Sequence, residues 1–552
     1  MKCTGAEIIV KLLELKGIEF IAGIPGSANL PLYNALYTSK IRHILVRHEQ
    51  AAGFFAQGMA RSTGKAAVCL ATSGPGATNL VTAIADAYLD SVPLIAITGQ
   101  VPSHLLGTNA FQEIDTYEMT KPITKQNFKI RTVNELFTTI PLAFEIAESN
   151  RPGPVLIDIP KDIQQQLCEF DAWPTYSKEK TTHQLRPEQL QQAKNLLNNS
   201  LRPIILVGAG LIESDSASEL LLLSKTNSIP IVSTMRGLGS IEPNHPDYVG
   251  MIGMHGNKAA NELTEEADLI LALGARFNDR TTGKTSEFIR NARLIHVDVD
   301  PNELNKIMAA DLGICCELGQ FIRALRPMID RNSRPDWTHR IQSMKSNRSS
   351  SKTSTTDTFH PTSIINTVAK CIPTDSIVTT DVGQHQMWVA MHYPFSKPRT
   401  FLTSAGLGTM GFGLPAAMGA ATAYPSKKVV CFTGDGSILM NIQELATLAE
   451  LQLDVTLLLF NNQGLGLVRQ QQELFFEQNF MACNFEGKVD FVALAQSFGI
   501  KAVDLNNPNN PMGKLQSLLS QKGPMLVNIP IQPEWNVFPM VPPGAANKSM
   551  IG

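Results

Sequence analysis

Short apolar runs recur along the whole 552-residue chain, each followed by a helix-length amphipathic stretch. This alternation constrains the fold more than any other feature. A strand covered on both faces reads as an unbroken apolar run, and parallel strands need helix-sized crossovers between them. "IRHILV", "AAVCLAT", "PLIAITG" and "PVLIDIP" are such strands in the first third. "PIILVGAG", "IPIVST", "LILALGA" and "LIHVDVD" follow in the middle, and "SIVTTDV", "KVVCFTG", "VTLLLFNN" and "PMLVNIPI" in the last. The chain is therefore expected to be α/β throughout, with helices covering mostly parallel, doubly wound sheets.

Two places lose the pattern. "TYSKEKTTHQLRPEQ" (175–189) is polar, and "RNSRPDWTHRIQSMKSNRSSSKTSTTDT" (331–358) is basic and rich in Ser and Thr. Both read as linkers. They divide a chain too long for one core into 1–170, 188–328 and 359–552, each of ordinary domain size. "TSGPGATNLVTAIADA" and "TSAGLGTMGFGLPAAMGA" both run Thr-Ser, a Gly-rich turn, then a small-residue helix. The echo suggests that the outer two segments are related.

A net charge of -2, with 17% charged residues, gives no electrostatic reason to expect nucleic acid or an anionic membrane. The N-terminus alternates apolar and charged residues and does not read as a signal peptide, and no stretch reads as a membrane span. The eight cysteines form no C-x-x-C pair. They are expected to be buried free thiols in a reducing cytoplasm.

"CFTGDGSILMNIQELATLAELQLDVTLLLFNNQG" ends one apolar strand at Gly-Asp-Gly and the next at Asn-Asn, one helix apart. Asn441 and Glu444 suit the cap and capping-box partner of that helix. A right-handed β-α-β unit puts both strand ends on one sheet edge, so Asp435 and Asn462 face one crevice. A carboxylate, an amide oxygen and a backbone carbonyl make a hard oxygen site suited to Mg²⁺. With one protein charge, the ion needs an anionic co-ligand such as a diphosphate. Gly434 and Gly436 allow close backbone approach. Each half alone is an ordinary turn after a strand; the pair at this spacing favours a site.

G-D-G-S followed by N-N resembles the cofactor motif of the thiamin diphosphate (ThDP) enzymes. The resemblance implies a pyrimidine-binding first domain, a central FAD-binding domain and a diphosphate-binding last domain. It assigns Mg²⁺ to Asp435, Asn462 and the carbonyl of Gly464, and the diphosphate surroundings to Ser437, Gln384 and His385. "RHEQ" looks like the family's glutamate motif. Glu49 would then be the carboxyl group that activates the aminopyrimidine ring, acting across a homodimer interface. Gly408 would offer a carbonyl to the ring's amino group, and Met410 would prop the bent cofactor.

Stretches such as "TNAFQEIDTYEMTKPITK", "GMHGNKAAN", "GARFNDRTTGK" and "VPPGAANKSM" narrow the resemblance to the acetohydroxyacid (acetolactate) synthases, catalytic subunit. That family decarboxylates pyruvate and joins the two-carbon unit to a second pyruvate or to 2-ketobutyrate, the first common step toward the branched-chain amino acids. The resemblance makes Arg276 the cation for the acceptor's carboxylate. Gly26, Phe111, Gln112 and Lys161 become substrate-side residues. Arg151, Gly208, Gly210, Gly253, Met254, His255, Gly256, Gly274, Ala275, Asp298 and Asp300 fall in flavin-contact stretches, for an FAD that is structural. It further implies a cytoplasmic dimer or tetramer and a small regulatory subunit.

Two departures stand out. Leu467 and Gln471 replace a Met and a Trp common in the family, as in its bacterial isozyme I branch. Losing the Trp should flatten any preference for 2-ketobutyrate. Ala405 stands where Gly is common, with little effect expected. The nearest rivals are a pyruvate oxidase, a simple 2-ketoacid decarboxylase and a catabolic synthase without FAD. A non-catalytic paralogue is the rival from another class; the presence of Glu49 and Asp435 weighs against it.

Overall fold

The computed structural model describes residues 1–174, 185–350, 357–506 and 509–552, with the backbone alone for 347–350. It contains three six-stranded parallel sheets and one antiparallel ribbon. In the first part run β1 (Lys2–Thr4), β2 (Phe20–Gly23), β3 (Arg42–Leu45), β4 (Ala67–Ala71), β5 (Leu94–Gln100), β6 (Gln126–Lys129), β7 (Pro154–Pro160) and β8 (Leu167–Glu169). Strands β1 and β8 pair as the ribbon, and the rest form a sheet ordered β3-β2-β4-β5-β7-β6. The middle sheet holds β9 (Pro203–Val207), β10 (Ile231–Ser233), β11 (Tyr248–Met251), β12 (Leu269–Leu273), β13 (Arg293–Asp298) and β14 (Leu312–Cys315). Its order is β11-β10-β9-β12-β13-β14. The last holds β15 (Ile377–Thr380), β16 (Phe401–Leu402), β17 (Val429–Gly434), β18 (Val455–Asn461), β19 (Lys501–Asp504) and β20 (Met525–Pro530), ordered β16-β15-β17-β18-β20-β19.

Counted within each sheet, the outer two share the order 2-1-3-4-6-5, and the middle one has 3-2-1-4-5-6. The echo between the outer segments is thus a shared topology. The middle order is that of dinucleotide-binding sheets. In such open sheets a crevice forms beyond the carboxyl ends of the strands where the winding reverses. Those points lie between β2 and β4, between β9 and β12, and between β15 and β17.

The first and third sheets share one apolar core, in which Phe55, Ala56, Leu414 and Met418 are fully buried. Two helices, Glu49–Thr63 and Gly413–Ala423, carry that contact. "GLPAAMGAATA" is apolar all round, as a helix buried on every side must be. Glycine is required where the backbones touch. A Cβ on Gly58 would lie 2.1 Å from the Ala416 carbonyl oxygen, and one on Gly419 1.9 Å from that of Phe55.

All twelve strands predicted from apolar runs are present. Four expectations need correction. The basic segment 331–358 is not simply a linker, since Pro335–Ser350 is a helix. Its composition hid an i,i+4 pair, Trp337 and Ile341, that buries against the middle sheet, with Trp337 Nε1 donating to the Pro203 carbonyl at 3.0 Å. Of the segment 175–189, residues 175–184 lie outside the described residues, and a helix, Pro187–Asn199, takes up its end. Asn441 and Glu444 form no capping box. A short 3₁₀ turn, Leu439–Asn441, precedes a helix of Glu444–Leu451, and both side chains reach instead to the first sheet's loops. All eight cysteines are free, but Cys371 is exposed, and Cys3 and Cys315 are half-buried.

Candidate active site

Strands β17 and β18 run in register, with Gly434 level with Phe460. Asp435 and Asn462 therefore leave the same sheet edge side by side, Asp435 at the switch point between β15 and β17 and Asn462 one strand beyond it. The Gly464 amide donates to Asp435 Oδ2 at 3.1 Å. The Asn462 amide oxygen lies 2.8 Å from the Gly464 carbonyl oxygen and 3.2 Å from Asp435 Oδ1. Three acceptors this close repel one another. Either the amide turns its nitrogen inward and donates to both, or a cation sits among them. Neighbouring ligands of an octahedral Mg²⁺ with bonds of about 2.0–2.1 Å are ~2.9 Å apart, so the oxygens fit that ion. Burial raises the Asp435 carboxyl to about 6 despite four backbone hydrogen bonds that favour its charge. Among the described residues no cluster of three His, Cys, Asp or Glu is placed to hold a metal.

Gln384 and His385 open the helix Gln384–His392 after β15. Helix N-termini favour anions. His385 is wedged between Gly383 and Gly434, where an added Cβ would meet its ring at about 3 Å. Its Nε2 is buried with no protein partner, and burial pulls its pKa down to about 3. A buried imidazole nitrogen left unmatched beside this oxygen cluster leaves room for a polar partner, and as a donor it suits an anion. Gly436 lies under Leu465 and Phe485, and Ser437 bonds back to the Gly434 amide and carbonyl. Gln384 ties Gln470 and the Trp535 carbonyl together.

The first sheet gathers a separate group. Glu49 starts its helix, and Asn79 Nδ2 donates to Glu49 Oε2 at 2.9 Å. Gly76 packs against Thr72, and a Cβ on it would lie 3.5 Å from Glu49 Oε1. Gly26 also meets Thr72, and Gly74 meets the Gln112 backbone. Gln112 has a left-handed φ of 61°, and the neighbouring Phe111 ring is 85% exposed. Lys161 follows β7 on the same edge and opens a short helix. That helix is tied to the Gly26 turn, as Gln164 Nε2 donates to the Ala28 carbonyl at 2.8 Å.

A cavity of about 960 Å³ lies where all three parts of the chain meet. Its walls include Gly408, Leu467, Gln471 and Arg276, with Arg151, Gly208, Gly210, Met254, His255, Gly274 and Asp298. Glu49, Gly26, Phe111, Gln112 and Lys161 are not among them. The middle sheet's glycines meet backbone to backbone at its switch point, where a Cβ on Gly208 would lie 2.1 Å from the Gly274 carbonyl oxygen. His255 Nδ1 is buried without a partner, and burial holds that ring at about 4. These features fit a dinucleotide such as FAD. Gly253, Gly256, Ala275 and Asp300 stand behind this wall; Asp300 and Glu303 hold Arg151 Nη1 at 3.2 and 2.7 Å. Met410, half-buried, lies off the cavity. Gly408 has a φ of 70°, which its turn requires.

Several residues escaped the sequence reading. Asp381 is fully buried and accepts from the Val382, Gly411 and Gly413 amides, fixing the turn after Met410. Its place at a strand end in "TTDVGQ" was the available signal. For Glu444, read from sequence as a helix-capping residue, the missed role is its hold on the approach to Glu49, where it accepts from the Arg47 amide at 2.8 Å. Arg280 reaches the same cavity as Arg276 and is more exposed. Burial lowers the pKa of Arg276, with Arg151, Asp90, Glu303 and Asp298 around it.

Comparison with known proteins agrees with this geometry. Residues 3–119 match the thiamine pyrophosphate enzyme N-terminal TPP binding domain, 190–325 the central domain, and 381–529 the C-terminal TPP binding domain. The acetolactate synthase isozyme 1 large subunit of Escherichia coli is 48% identical over 550 residues, covering 100% of this chain and 98% of that one. The isozyme 2 large subunit of the same organism is 42% identical, covering 99% of each. The acetolactate synthase large subunit of Lactococcus lactis is 41% identical, covering 100% and 96%. With all three domains matched and full-length identity at this level, the chain belongs to the acetolactate synthase large subunits of the thiamine pyrophosphate enzymes.

Proposed function

We propose that the chain carries out acetolactate synthesis with Mg²⁺-bound thiamin diphosphate and a structural FAD, in an active site shared between two copies. The observation that carries this reading is the convergence of Asp435, Asn462 and the Gly464 carbonyl next to a sheet switch point, beside His385, whose Nε2 has no protein partner. When bound, thiamin diphosphate would supply a carbon nucleophile that adds to the keto carbon of the 2-ketoacid and an electron sink for the pair left behind as CO₂ departs. Asp435, Asn462 and Gly464 would hold the ion, while Gln384, His385 and Ser437 surround the diphosphate. Glu49 holds or releases a proton at the ring nitrogen, oriented by Asn79. Gly408 accepts a hydrogen bond from the ring's amino group through its carbonyl.

The Glu49 group lies off the cavity that contains Gly408, Leu467 and Gln471 in the same chain. This supports a site completed by a second copy, whose Glu49, Gly26, Phe111, Gln112 and Lys161 would close it. Exposed apolar side chains at Phe111, Met440, Phe476 and Met481 favour such a contact. The acceptor's carboxylate would meet a guanidinium. Arg276 remains the first candidate. Arg280 is the second, favoured by its exposure on the same wall and by its nearness to Met254, with Nη1 3.4 Å from the sulfur. The domain limits 1–170, 188–328 and 359–552, a small regulatory subunit and a cytoplasmic location belong to the same proposal. The relatives' designation as large subunits supports the partner, and among the described residues no helix is long and apolar enough to cross a membrane.

Product analysis tests the reading. With Mg²⁺, thiamin diphosphate and FAD, pyruvate should yield 2-acetolactate, and added 2-ketobutyrate should yield 2-aceto-2-hydroxybutyrate. Acetaldehyde or acetate as the main product would overturn it. Comparing Arg276→Gln with Arg280→Gln in the same assay identifies which residue raises the acceptor KM.

A further inference from the structure

Gly408 and Met410 lie on a loop whose outer residues, Gly406–Gly408, are exposed. An exposed turn of glycines has no rigidity of its own. Its anchorage comes from the first part of the chain. Asp86 Oδ2 accepts from the Ser404 hydroxyl and, at 3.1 Å, from the Thr409 hydroxyl. Ser404 Oγ in turn accepts from the Thr409 amide at 2.8 Å, which closes the base of the loop. Asp90 takes the two amides at the loop's start, Ala405 on Oδ2 and Gly406 on Oδ1, both at 2.9 Å. Arg61 Nη2 joins the two carboxylates at 2.9 and 3.0 Å, and its Nη1 donates to the Thr403 carbonyl at 2.9 Å. Gln57 Oε1 orients Arg61 from one turn earlier on the same helix. The aspartates, Arg61 and Ser404 are all buried. The fit is close enough to demand glycine at 406, where a Cβ would lie 2.9 Å from Leu89 Cβ and 3.0 Å from Asp90 Oδ1.

Such a cluster is poorly explained as a source of stability. Buried ion pairs give back little beyond their desolvation cost, and apolar replacements often do as well. What it supplies is fixed geometry: two backbone amides and two hydroxyls held at the foot of one exposed turn. Asp90, Ser404, Ala405 and Gly406 also border the cavity, so the cluster ends where Gly408 begins.

We propose that Asp86, Asp90 and Arg61 are positioning residues for the Thr403–Met410 loop, setting where the Gly408 carbonyl meets the pyrimidine ring. The inference rests on the cofactor reading above. It implies that the first domain serves two sites. It lends Glu49 to a partner's cofactor, and through Arg61, at the other end of the helix that Glu49 begins, it fixes the ring-binding loop of its own chain.

Ser404→Ala tests this gently, since it removes one hydroxyl without leaving Asp86 unpaired. Asp86→Asn is the second variant; it keeps the shape and an acceptor oxygen. Each full-length protein is measured for thermal midpoint, for Mg²⁺-dependent affinity toward thiamin diphosphate and toward inorganic pyrophosphate, and for the near-ultraviolet circular dichroism of the bound aminopyrimidine. Pyrophosphate probes the Asp435 end alone. The expected result for Ser404→Ala is thiamin diphosphate binding weaker by about tenfold and an altered pyrimidine signal, with pyrophosphate affinity and thermal midpoint unchanged. Unchanged thiamin diphosphate binding and signal in both variants would overturn the proposal. So would a parallel loss of both affinities with a lowered midpoint, which marks a merely structural role. Wild type that binds pyrophosphate but not thiamin diphosphate would instead overturn the cofactor reading, and this inference with it.

Discussion

Gln471 lies half-buried on the helix Gly466–Phe475, on the same cavity wall as Leu467 and Gly408. Its neighbour Gln470 also borders the cavity but is fully buried and clamped to both the amide and the carbonyl of Val537. Gln470 therefore fixes the helix, and Gln471 is the amide left to meet an acceptor. A primary amide gives no apolar face to an acceptor's extra methyl, so the wild type should show little preference for 2-ketobutyrate over pyruvate. Gln471→Trp should raise that preference by at most the roughly 10–200-fold that a methylene-sized contact supplies. Competition between the two acceptors at fixed pyruvate, scored as acetohydroxybutyrate against acetolactate, measures it. A wild type that already prefers 2-ketobutyrate strongly would remove Gln471 from acceptor choice.

At the level of elements, β5 and β7 are coupled by a buried charge as well as by their ladder. Asp158 accepts from the Thr98 hydroxyl at 2.7 Å and from Gln100 Nε2 at 3.0 Å, within the first sheet. Burial raises its carboxyl from 3.8 to about 6, against the pull of those two bonds. The folded chain therefore holds this proton more tightly than the unfolded one. Its stabilising contribution is complete below the unfolded value and is lost as pH rises through about 6. Asp158→Asn removes the titration. Its stability relative to wild type should improve between about pH 4 and pH 7, by on the order of 3 kcal/mol, on top of a constant loss from the mismatched amide facing Gln100. Thermal midpoints of both proteins across that range check the sign; a difference independent of pH would show that Asp158 does not titrate as placed.

For the whole molecule, the proposed sharing of sites has a measurable consequence. A Glu49→Gln chain and an Asp435→Ala chain should each be nearly inactive, the first still binding thiamin diphosphate and the second failing to bind it with Mg²⁺. Mixed dimers would hold one intact site and one site carrying both defects. Random pairing after co-expression should then restore about a quarter of wild-type activity. No recovery in dimers shown to be mixed would place Glu49 and Asp435 of one chain in the same site. Much of the molecule was legible in order along the chain. Apolar runs betray strands packed in a sheet, so twelve of the strands could be read directly, and Gly-Asp-Gly and Asn-Asn at two strand ends announced a shared crevice. Short strands lacked that signal, among them the half-buried edges β14 and β19 and the internal β2, whose run is only Phe-Ile-Ala-Gly. The helix Pro335–Ser350 was lost in a basic, Ser-rich composition because Trp337, Ile341 and a partly buried Met344 suffice to dock it. The tertiary structure alone decided which polar residues act together. Asp86, Asp90 and Arg61 lie more than 300 positions from the loop they hold, and Glu444 nearly 400 from Arg47. Local propensity cannot encode such pairings, because a buried carboxylate is defined by the partners that packing brings to it and not by its neighbours in the chain.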